Sequence, residues 1–356
     1  MGQMGAQLGR IPNVISAIPP DPALRQLPCQ IKAGECILFL GAGVHAPPPE
    51  TLEPDASPSR EESGQGGFTG PGNASHGEAA TIPEADSHQD SSLSEPIRPR
   101  YSYPSEVRPL LGWQLAEKLA AECTIPLPPE SLHDLQRVAL CFEKSRGLGR
   151  ATLVSRLNTY LMDNKKPSPI LEMLAGMPFP IIVTTNYDRL LEAALRAAGK
   201  DPNVVIYDPN PDRPTRVVGQ DPTERKPLIF KMHGDLNQNE SIVITDEDYI
   251  TFVQRMADKE AVYPVPLSIR YRMQQWRILF VGYSLRDYNL RLLFRTLRWR
   301  VDPANFPPSF SIDRDPDPLI LQVWQNERQF ITFVAQDLWS SVPYLYKEVT
   351  GKEFEQ

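Results

Sequence analysis

The sequence predicts an α/β fold with a doubly wound, mostly parallel sheet, a helical lobe and a long disordered insertion. Two runs of consecutive apolar residues, 36–40 and 278–281, are typical of strands that are buried on both faces of a parallel sheet. From residue 179 onward, strand patterns alternate with helical patterns, and this alternation indicates βα units. A polar, acidic stretch interrupts the chain after the first strand.

The acidic stretch follows the strand predicted over 36–40. Residues 57–96 contain seven acidic residues and one basic residue, and their only large apolar residues are Phe68, Ile82 and Leu93. Such a composition buries too little apolar surface to offset the entropy lost on ordering. We therefore expect residues 46–99 to form a disordered insertion, and residues 1–29 to be a lead-in that contains several prolines.

A helical lobe is expected over 105–178, after the insertion. Leucines recur at helical spacing in its first part, and Ser131 and Gly147 are residues typical of a helix N-cap and a helix C-terminus. The helices predicted in this lobe are 110–123, 130–147 and 150–163.

The rest of the chain supplies the other strands and the helices that cover the sheet. Each predicted strand is a short apolar run, and Gly199 is a typical end for the first of the helices. The strands predicted here are 179–185, 204–207, 228–232, 241–244, 278–281 and 329–334. The helices predicted here are 188–198, 246–258, 287–299, 318–327 and 337–349.

Charge and composition argue against several classes of protein. The net charge of the 356 residues is −7 and most of it lies in residues 57–96, so we expect no direct binding of nucleic acid. No apolar run approaches the roughly 20 residues of a membrane helix, and no secretory signal is visible. The four cysteines form no C-x-x-C pair, so we expect no zinc ribbon or redox dithiol, and a cytoplasmic location.

Four short motifs directly follow predicted strands, where open α/β sheets bind their ligands. They are GAGVHA at 41–46, TTNYD at 184–188, KMHGD at 231–235 and GYSLRDYN at 282–289. The first has the G-x-G-x-x-A form of a dinucleotide fingerprint, in which glycines let the backbone approach a phosphate, although a plain tight turn would look the same. The acidic residue that a dehydrogenase carries about 20 residues later would fall in the insertion, which disfavours that class.

The other three motifs offer polar side chains. Asn186 provides an amide and Asp188 a carboxylate, although either residue could simply cap the next helix. His233 lies at a strand end beside a glycine, where a general base would be placed, and a structural histidine is the alternative. Ser284 is a candidate donor to a phosphate or ribose, or an ordinary residue of a βα loop.

Taken in order, GAG, TTNYD, MHGD and GYS resemble the motifs of sirtuin-like domains, specifically the bacterial branch that hydrolyses NAD in antiphage defence. The resemblance covers about residues 30–340, apart from the insertion, and implies a catalytic domain on a Rossmann-like sheet. It implies a glycohydrolase that cleaves the nicotinamide–ribose bond, with NAD as substrate, no metal, and NAD depletion as the means of defence.

The resemblance also implies roles for individual residues. Asn186 would position the nicotinamide ribose and the attacking water, Asp188 would hold the carboxamide, and His233 would be the base that bonds a ribose hydroxyl. We expect Asn186 and His233 to be accessible in a cleft, so that alanine there costs little stability. His45 stands where that family usually has serine, and we expect its replacement to have a milder effect. The implied cofactor-binding residues are Gly41, Ala42, Gly43, Val44, Thr185, Gly282 and Ser284.

Two other functions stay open at this point. A sirtuin-type protein deacylase uses the same cofactor, but those enzymes commonly carry a four-cysteine zinc module for which this chain has no cysteine pairs. A non-catalytic nucleotide-binding or sensing module is the other alternative. A homo-oligomer and a partner protein from a defence system are both compatible with the sequence.

Overall fold

In the described part of the chain, seven parallel strands form a single sheet. In chain order they are β1 Cys36–Leu40, β2 Ile181–Thr184, β3 Asn203–Ile206, β4 Leu228–Lys231, β5 Arg277–Val281, β6 Ser309–Ile312 and β7 Ile331–Val334. Their order across the sheet is β3-β4-β2-β1-β5-β6-β7, and neighbouring strands pair in parallel. The strand order extends in both directions from β1, so the predicted doubly wound, Rossmann-like α/β fold is confirmed.

The computed structural model describes residues 21–49, 101–210, 221–257, 265–283, 285, 307–325 and 331–356. Four sequence predictions therefore concern residues outside this set. They are most of the insertion over 46–99, the first 20 residues of the lead-in, Ser284 and the helix over 287–299.

Helices cover both faces of the sheet. They are α1 Leu27–Lys32, α2 Gly112–Ala120, α3 Leu135–Lys144, α4 Arg150–Leu161, α5 Pro169–Gly176, α6 Leu190–Ala197, α7 Asp246–Ala257, α8 Leu267–Gln275, α9 Pro318–Gln325 and α10 Leu338–Thr350. In the parts of the chain that the structure describes, none of them is both long and apolar enough to cross a bilayer.

Alternate residues of the strands face two separate apolar cores, because successive side chains of a strand point to opposite faces. In β1, Leu38 and Leu40 belong to a core that also contains residues of α1, α5, α6 and α10. Ile37 and Phe39 belong to a second core with residues of α7, α8 and α9. The strand is therefore buried on both faces, which is why its sequence is a continuous apolar run.

Helices α2, α3 and α4 form a lobe with a third core of its own. Leu119, Phe142 and Leu157 are fully buried in it. This core also contains Tyr187 and Leu236, which follow β2 and β4 in the chain. The lobe thus packs directly against two of the loops that carry the sequence motifs.

The structure corrects two predicted elements. Residues 241–244, predicted as a strand, form the end of a short 3₁₀ turn, Asn239–Ser241, and an extended stretch outside the sheet. Their apolar side chains are buried in the second and third cores instead, which explains the strand-like pattern. The helix predicted from 130 begins at Leu135, and its N-cap is Asp134 rather than Ser131, since Asp134 Oδ1 accepts from the Gln136 N–H at 3.1 Å.

Four elements escaped sequence-based prediction. They are α1, α5, α8 and β6. The three helices are short and each has a proline at or next to its first residue, so their apolar repeats are too short to indicate a helix. The strand β6 reads Ser-Phe-Ser-Ile, yet both of its serines are buried, so its polar residues concealed a central strand.

Candidate active site

The carboxyl ends of four adjacent strands stop at the same level. Leu40 of β1 is paired with Thr184 of β2 and with Val281 of β5, and Thr184 is paired with Lys231 of β4. Neighbouring strands of a sheet lie about 4.8 Å apart. The four motifs that follow these residues therefore leave the sheet side by side, at the edge where α/β sheets bind ligands.

Asn186 and His233 follow neighbouring strands at the same offset. Each lies two positions beyond a paired residue, Thr184 in one strand and Lys231 in the other. The hydrogen-bonded ladder continues one residue further, since the Met232 N–H donates to the Thr184 carbonyl at 2.8 Å. The structure thus brings both predicted catalytic residues to adjacent strand ends, and their roles stay a prediction.

The first and fourth motifs touch through their backbones. The Gly43 N–H donates to the Gly282 carbonyl at 2.8 Å, and the Gly41 N–H donates to the Val281 carbonyl at 3.0 Å. A Cβ atom on Gly282, whose φ is +64°, would lie only 2.1 Å from the Val44 nitrogen. These glycines let two loops approach each other. The Gly43 amide is committed to that contact and is not a donor for a phosphate in this arrangement.

The backbone at Asn186 is fixed by the preceding strand. The Thr184 hydroxyl donates to the Leu40 carbonyl at 3.1 Å and accepts from the Asn186 N–H at 3.1 Å. The Asn186 side chain is half-buried. Asp188 is buried, and its Oδ1 accepts from the Leu190 N–H at 2.9 Å at the start of α6. The N-cap residue of α6 is Arg189, so Asp188 bonds the first N–H of the helix from one position before the cap.

His233 is buried, with 3% of its surface exposed, so the expectation of an accessible histidine is wrong. Its ring packs edge-on against Tyr249 and Phe252 of α7, with centroids 5.1 and 5.6 Å away. Its Nδ1 lies 3.3 Å from the Tyr249 hydroxyl. The turn that follows requires glycine, because Gly234 has a φ of +90° and a Cβ there would lie 2.2 Å from the Ser241 carbonyl oxygen.

Lys231, the residue that begins the third motif, is a fully buried cation that ties three segments together. Its Nζ donates to Asp235 Oδ2 at 2.6 Å and to Glu192 Oε1 of α6 at 3.3 Å. The same Nζ also donates to the main-chain oxygens of Tyr187 and Asp188. Burial raises the pKa of the Glu192 carboxyl, and the Lys231 charge opposes that rise. Lys231 therefore holds the Asn186 loop against the His233 loop.

Sequence reasoning missed this support, although one signal was present. A lysine at the end of the apolar run Leu-Ile-Phe is buried if that run is a central strand, and a buried charge needs a partner. Asp235, four residues later, was the nearest acid in the sequence.

His45 is also buried, with 3% of its surface exposed. Its Nδ1 lies 3.1 Å from the Tyr103 hydroxyl, which donates to the Lys166 carbonyl at 3.0 Å. Burial lowers the pKa of His45, and the nearby negative charge of Asp188 opposes that change without cancelling it. His45 is therefore a neutral imidazole near neutral pH. Nothing in the sequence identified Tyr103 as its partner, because the two are 58 positions apart and the insertion lies between them.

A cavity of about 750 Å³ lies next to Tyr103, on the outer side of α5 and α6. Its wall includes Glu172, Ala194, Tyr346 and Phe354. Burial raises the pKa of Glu172. None of the motif residues that the structure describes lines this cavity, but Tyr103 in its wall contacts His45 of the first motif.

The predicted cofactor-binding residues follow three neighbouring strands. Gly41, Ala42, Gly43 and Val44 follow β1, Thr185 follows β2 and Gly282 follows β5. Their contacts with NAD stay a prediction. Within the described ranges, no group of three or more His, Cys, Asp or Glu side chains is arranged to hold a metal ion.

Comparison with known proteins finds a family match over part of the chain. The sequence profile of the SIR2-like domain matches residues 180–332. This part of the chain is similar to SIR2-like domains. The matched part runs from the start of β2 into β7, and it contains the second, third and fourth motifs. The GAG loop after β1 and the helical lobe precede the matched residues in the chain.

Curated relatives match about half of this chain. An NAD(+) hydrolase ThsA from Enterococcus faecium is 30% identical over 190 residues, which are 51% of this chain and 35% of the relative. The corresponding protein from Acinetobacter baumannii is 27% identical over 189 residues, 53% of this chain and 36% of the relative. Defense-associated sirtuin 2 from Bacillus subtilis is 26% identical over 167 residues, 46% of this chain and 15% of the relative.

These names confirm the resemblance to the antiphage NAD hydrolase branch of the sirtuin-like proteins. The matched region spans about a third or less of each of these relatives.

Proposed function

We propose that this chain is an NAD glycohydrolase, which hydrolyses the bond between nicotinamide and ribose. One observation carries the proposal: the aligned ends of β4, β2, β1 and β5 place all four motif loops at one edge of a SIR2-like sheet. The names of the curated relatives support the choice of NAD as the substrate.

The reaction breaks the bond between C1′ of the ribose and the pyridinium nitrogen, and water adds at C1′. The developing positive charge on the sugar makes orientation and electrostatic stabilisation the main tasks of the protein. Asn186 offers an amide that can hold both a ribose hydroxyl and the attacking water. It follows β2 with its backbone fixed by Thr184, and its side chain is half-buried.

His233 is proposed to accept a hydrogen bond, and then a proton, from a ribose hydroxyl. The Tyr249 hydroxyl lies 3.3 Å from Nδ1 and helps to hold the ring in place. One oxygen of Asp188 accepts from the Leu190 N–H, so we assign the nicotinamide carboxamide to the other oxygen. Lys231 fixes the two loops that carry Asn186, Asp188 and His233. It does so by donating to the main-chain oxygen of Asp188 and to the carboxylate of Asp235.

In the cell, such an enzyme would deplete NAD. The curated relatives are named as NAD hydrolases and as a defence-associated sirtuin. We therefore propose a role in antiphage defence, in which loss of NAD stops the infected cell.

The test is to incubate the purified chain with NAD and to measure nicotinamide and ADP-ribose by chromatography. We expect both products in equal amounts from the wild type and neither from Asn186→Ala. Nicotinamide release that depends on an added acyl-lysine peptide would indicate a deacylase instead.

A nucleotide-sensing module is the second candidate, and the inaccessibility of several polar groups at the strand ends favours it. His233 and His45 are both buried, and the Gly43 amide is occupied by Gly282. If the wild type binds NAD in calorimetry but releases no nicotinamide, the sensing function replaces the hydrolase.

A further inference from the structure

We propose that His45 is a substrate-binding residue, whose Nε2 accepts a hydrogen bond from a hydroxyl or amide N–H donor of the dinucleotide. The inference rests on the proposed function and adds a residue to it. It also reverses the expectation from the sequence that His45 matters less than Asn186 and His233.

The hydrogen bonds around His45 assign its tautomer. Tyr103 has one hydroxyl proton, and its geometry directs that proton to the Lys166 carbonyl at 3.0 Å. The Tyr103 oxygen can then only accept from His45, so the imidazole proton lies on Nδ1, 3.1 Å away. The other nitrogen, Nε2, is left as an acceptor with a lone pair. A single hydroxyl thus fixes both the orientation and the chemical character of the ring.

The Nε2 atom of His45 is buried and has no hydrogen-bond partner among the residues that the structure describes. Buried acceptors are normally satisfied, because an unpaired one loses its bond to water and gains none from the protein. An imidazole held in place by one nitrogen while the other is unpaired is typical of a group that meets a ligand.

The position of His45 points to the strand-end site. It lies on the 3₁₀ turn Ala42–His45, directly after β1, and it is close enough to Asp188 of the neighbouring loop to feel its charge. A hydrogen bond to α5 fixes this turn, because the Ser168 hydroxyl at the start of α5 donates to the Val44 carbonyl at 2.6 Å. His45 therefore lies on a fixed turn. It is close to Asp188, to which we have assigned the nicotinamide carboxamide.

The chemistry of the neutral imidazole limits what its partner can be. Nε2 only accepts, so the partner must be a donor. NAD has two kinds of donor near the scissile bond, the ribose hydroxyls and the carboxamide amino group. A phosphate offers no such donor at neutral pH, so His45 does not belong to the phosphate cradle of the GAG loop.

A matched pair of variants separates this role from simple packing. In His45→Asn, the amide nitrogen can replace Nδ1 and keep the bond to Tyr103, but nothing reaches the position of Nε2. In His45→Gln, the longer side chain brings an amide oxygen to about that position. Both variants lose the ring, so a packing defect affects them alike.

We expect His45→Asn to weaken NAD binding at least tenfold in calorimetry and to raise KM by a similar factor. We expect His45→Gln to recover most of the loss. Melting temperatures measured in parallel show that both variants are folded. If His45→Asn does not fold, Tyr103→Phe takes its place, because it releases the ring while leaving the aromatic packing; we expect a several-fold rise in KM.

Two analogues identify the donor. Nicotinic acid adenine dinucleotide has a carboxylate in place of the carboxamide, and a deoxyribose analogue lacks one hydroxyl of the nicotinamide ribose. The analogue without the relevant donor should bind the wild type and His45→Asn equally.

The outcomes are distinct. Equal affinity of the wild type, His45→Asn and His45→Gln for NAD overturns the inference and leaves the proposed function intact. If the wild type neither binds nor cleaves NAD, the proposed function itself is wrong and the role of His45 falls with it.

Discussion

Lys231 and Asp235 form a buried ion pair, with 2.6 Å between Nζ and Oδ2, and His233 lies in the turn between them. The pair closes the loop that carries the proposed base. Glu192 adds a second carboxylate at 3.3 Å, so one buried cation faces two buried acids. Such a cluster fixes the relative positions of the loops. Removing one of its members should lower the free energy of unfolding strongly, because each remaining charge would be buried without a partner.

Lys231→Met should destabilise the protein by about 3–5 kcal/mol, because two carboxylates and two main-chain oxygens lose their donor. Urea unfolding followed by circular dichroism measures the change. Lys226→Met is the matched control: Lys226 is exposed and its pair with Asp201 is 3.9 Å long. A loss below about 1 kcal/mol for Lys231→Met would contradict the proposed supporting role.

Asn186→Ala should abolish NAD cleavage and leave the melting temperature nearly unchanged. The side chain is half-buried, so its removal leaves no large cavity. Its loss removes the orientation of water and ribose, an effect that can reach several kcal/mol of activation free energy. Nicotinamide release and thermal unfolding are measured on the same preparation. Retention of a tenth or more of wild-type turnover would exclude Asn186 from the proposed mechanism.

His233→Ala should lower turnover by roughly 10²–10⁴, the usual contribution of a general base. Unlike Asn186→Ala, it should also lower the free energy of unfolding, by about 1–3 kcal/mol, since the Tyr249 hydroxyl loses one hydrogen-bond partner and two aromatic rings lose a neighbour. Tyr249→Phe separates the two effects, because it removes the hydroxyl alone. We expect Tyr249→Phe to reduce turnover less than His233→Ala does.

Acidification should destabilise the protein through His45. Its pKa is lowered in the folded state, so the unfolded chain binds more protons as the pH falls below about 6.5. Stability should therefore fall by up to about 1.4 kcal/mol per pH unit below that value, and His45→Gln should lack this contribution. The facing groups are Tyr103 and Asp188, and the Asp188 charge only weakens the effect. Urea midpoints of both proteins between pH 5.5 and 7.5 provide the comparison, and identical slopes would refute it.

Gly282→Ala should destabilise the protein far more than Gly147→Ala does. Both glycines have a positive φ, +64° and +80°, which alone costs an alanine about 1 kcal/mol. A Cβ on Gly282 would also clash with the Val44 nitrogen at 2.1 Å, whereas a Cβ on Gly147 meets nothing within 4 Å. Thermal unfolding of the two variants isolates the contact between the loops. Equal losses would mean that the loops can separate without cost.

The α/β class and the place of the motifs were predictable because they depend on local patterns. The run at β1 is apolar at every position, and each motif begins where an apolar run ends. The environment of the site was not predictable from such patterns. His233 is buried by Tyr249 and Phe252 of α7, and nothing near His233 in the sequence indicates that α7 folds over it.

Partners that are distant in the chain account for the other differences. Tyr103 bonds His45 although the insertion separates them in the chain, and Lys231 bonds Glu192 of α6, 39 positions earlier.

The start of α3 differs from the prediction for a local reason. Asp134 is the cap in place of Ser131, because its carboxylate accepts from two N–H groups at the start of α3, those of Gln136 and Arg137.

The third core has a consequence for how the protein responds to its substrate. Tyr187 and Leu236 contribute their side chains to the helical lobe, while their neighbours Asn186 and Asp235 belong to the site. Partial opening of the lobe would therefore dismantle the site, and a ligand that holds these loops must also lower the population of the opened lobe. Occupancy at the sheet edge should thus be visible as slower amide hydrogen exchange in α2, α3 and α4.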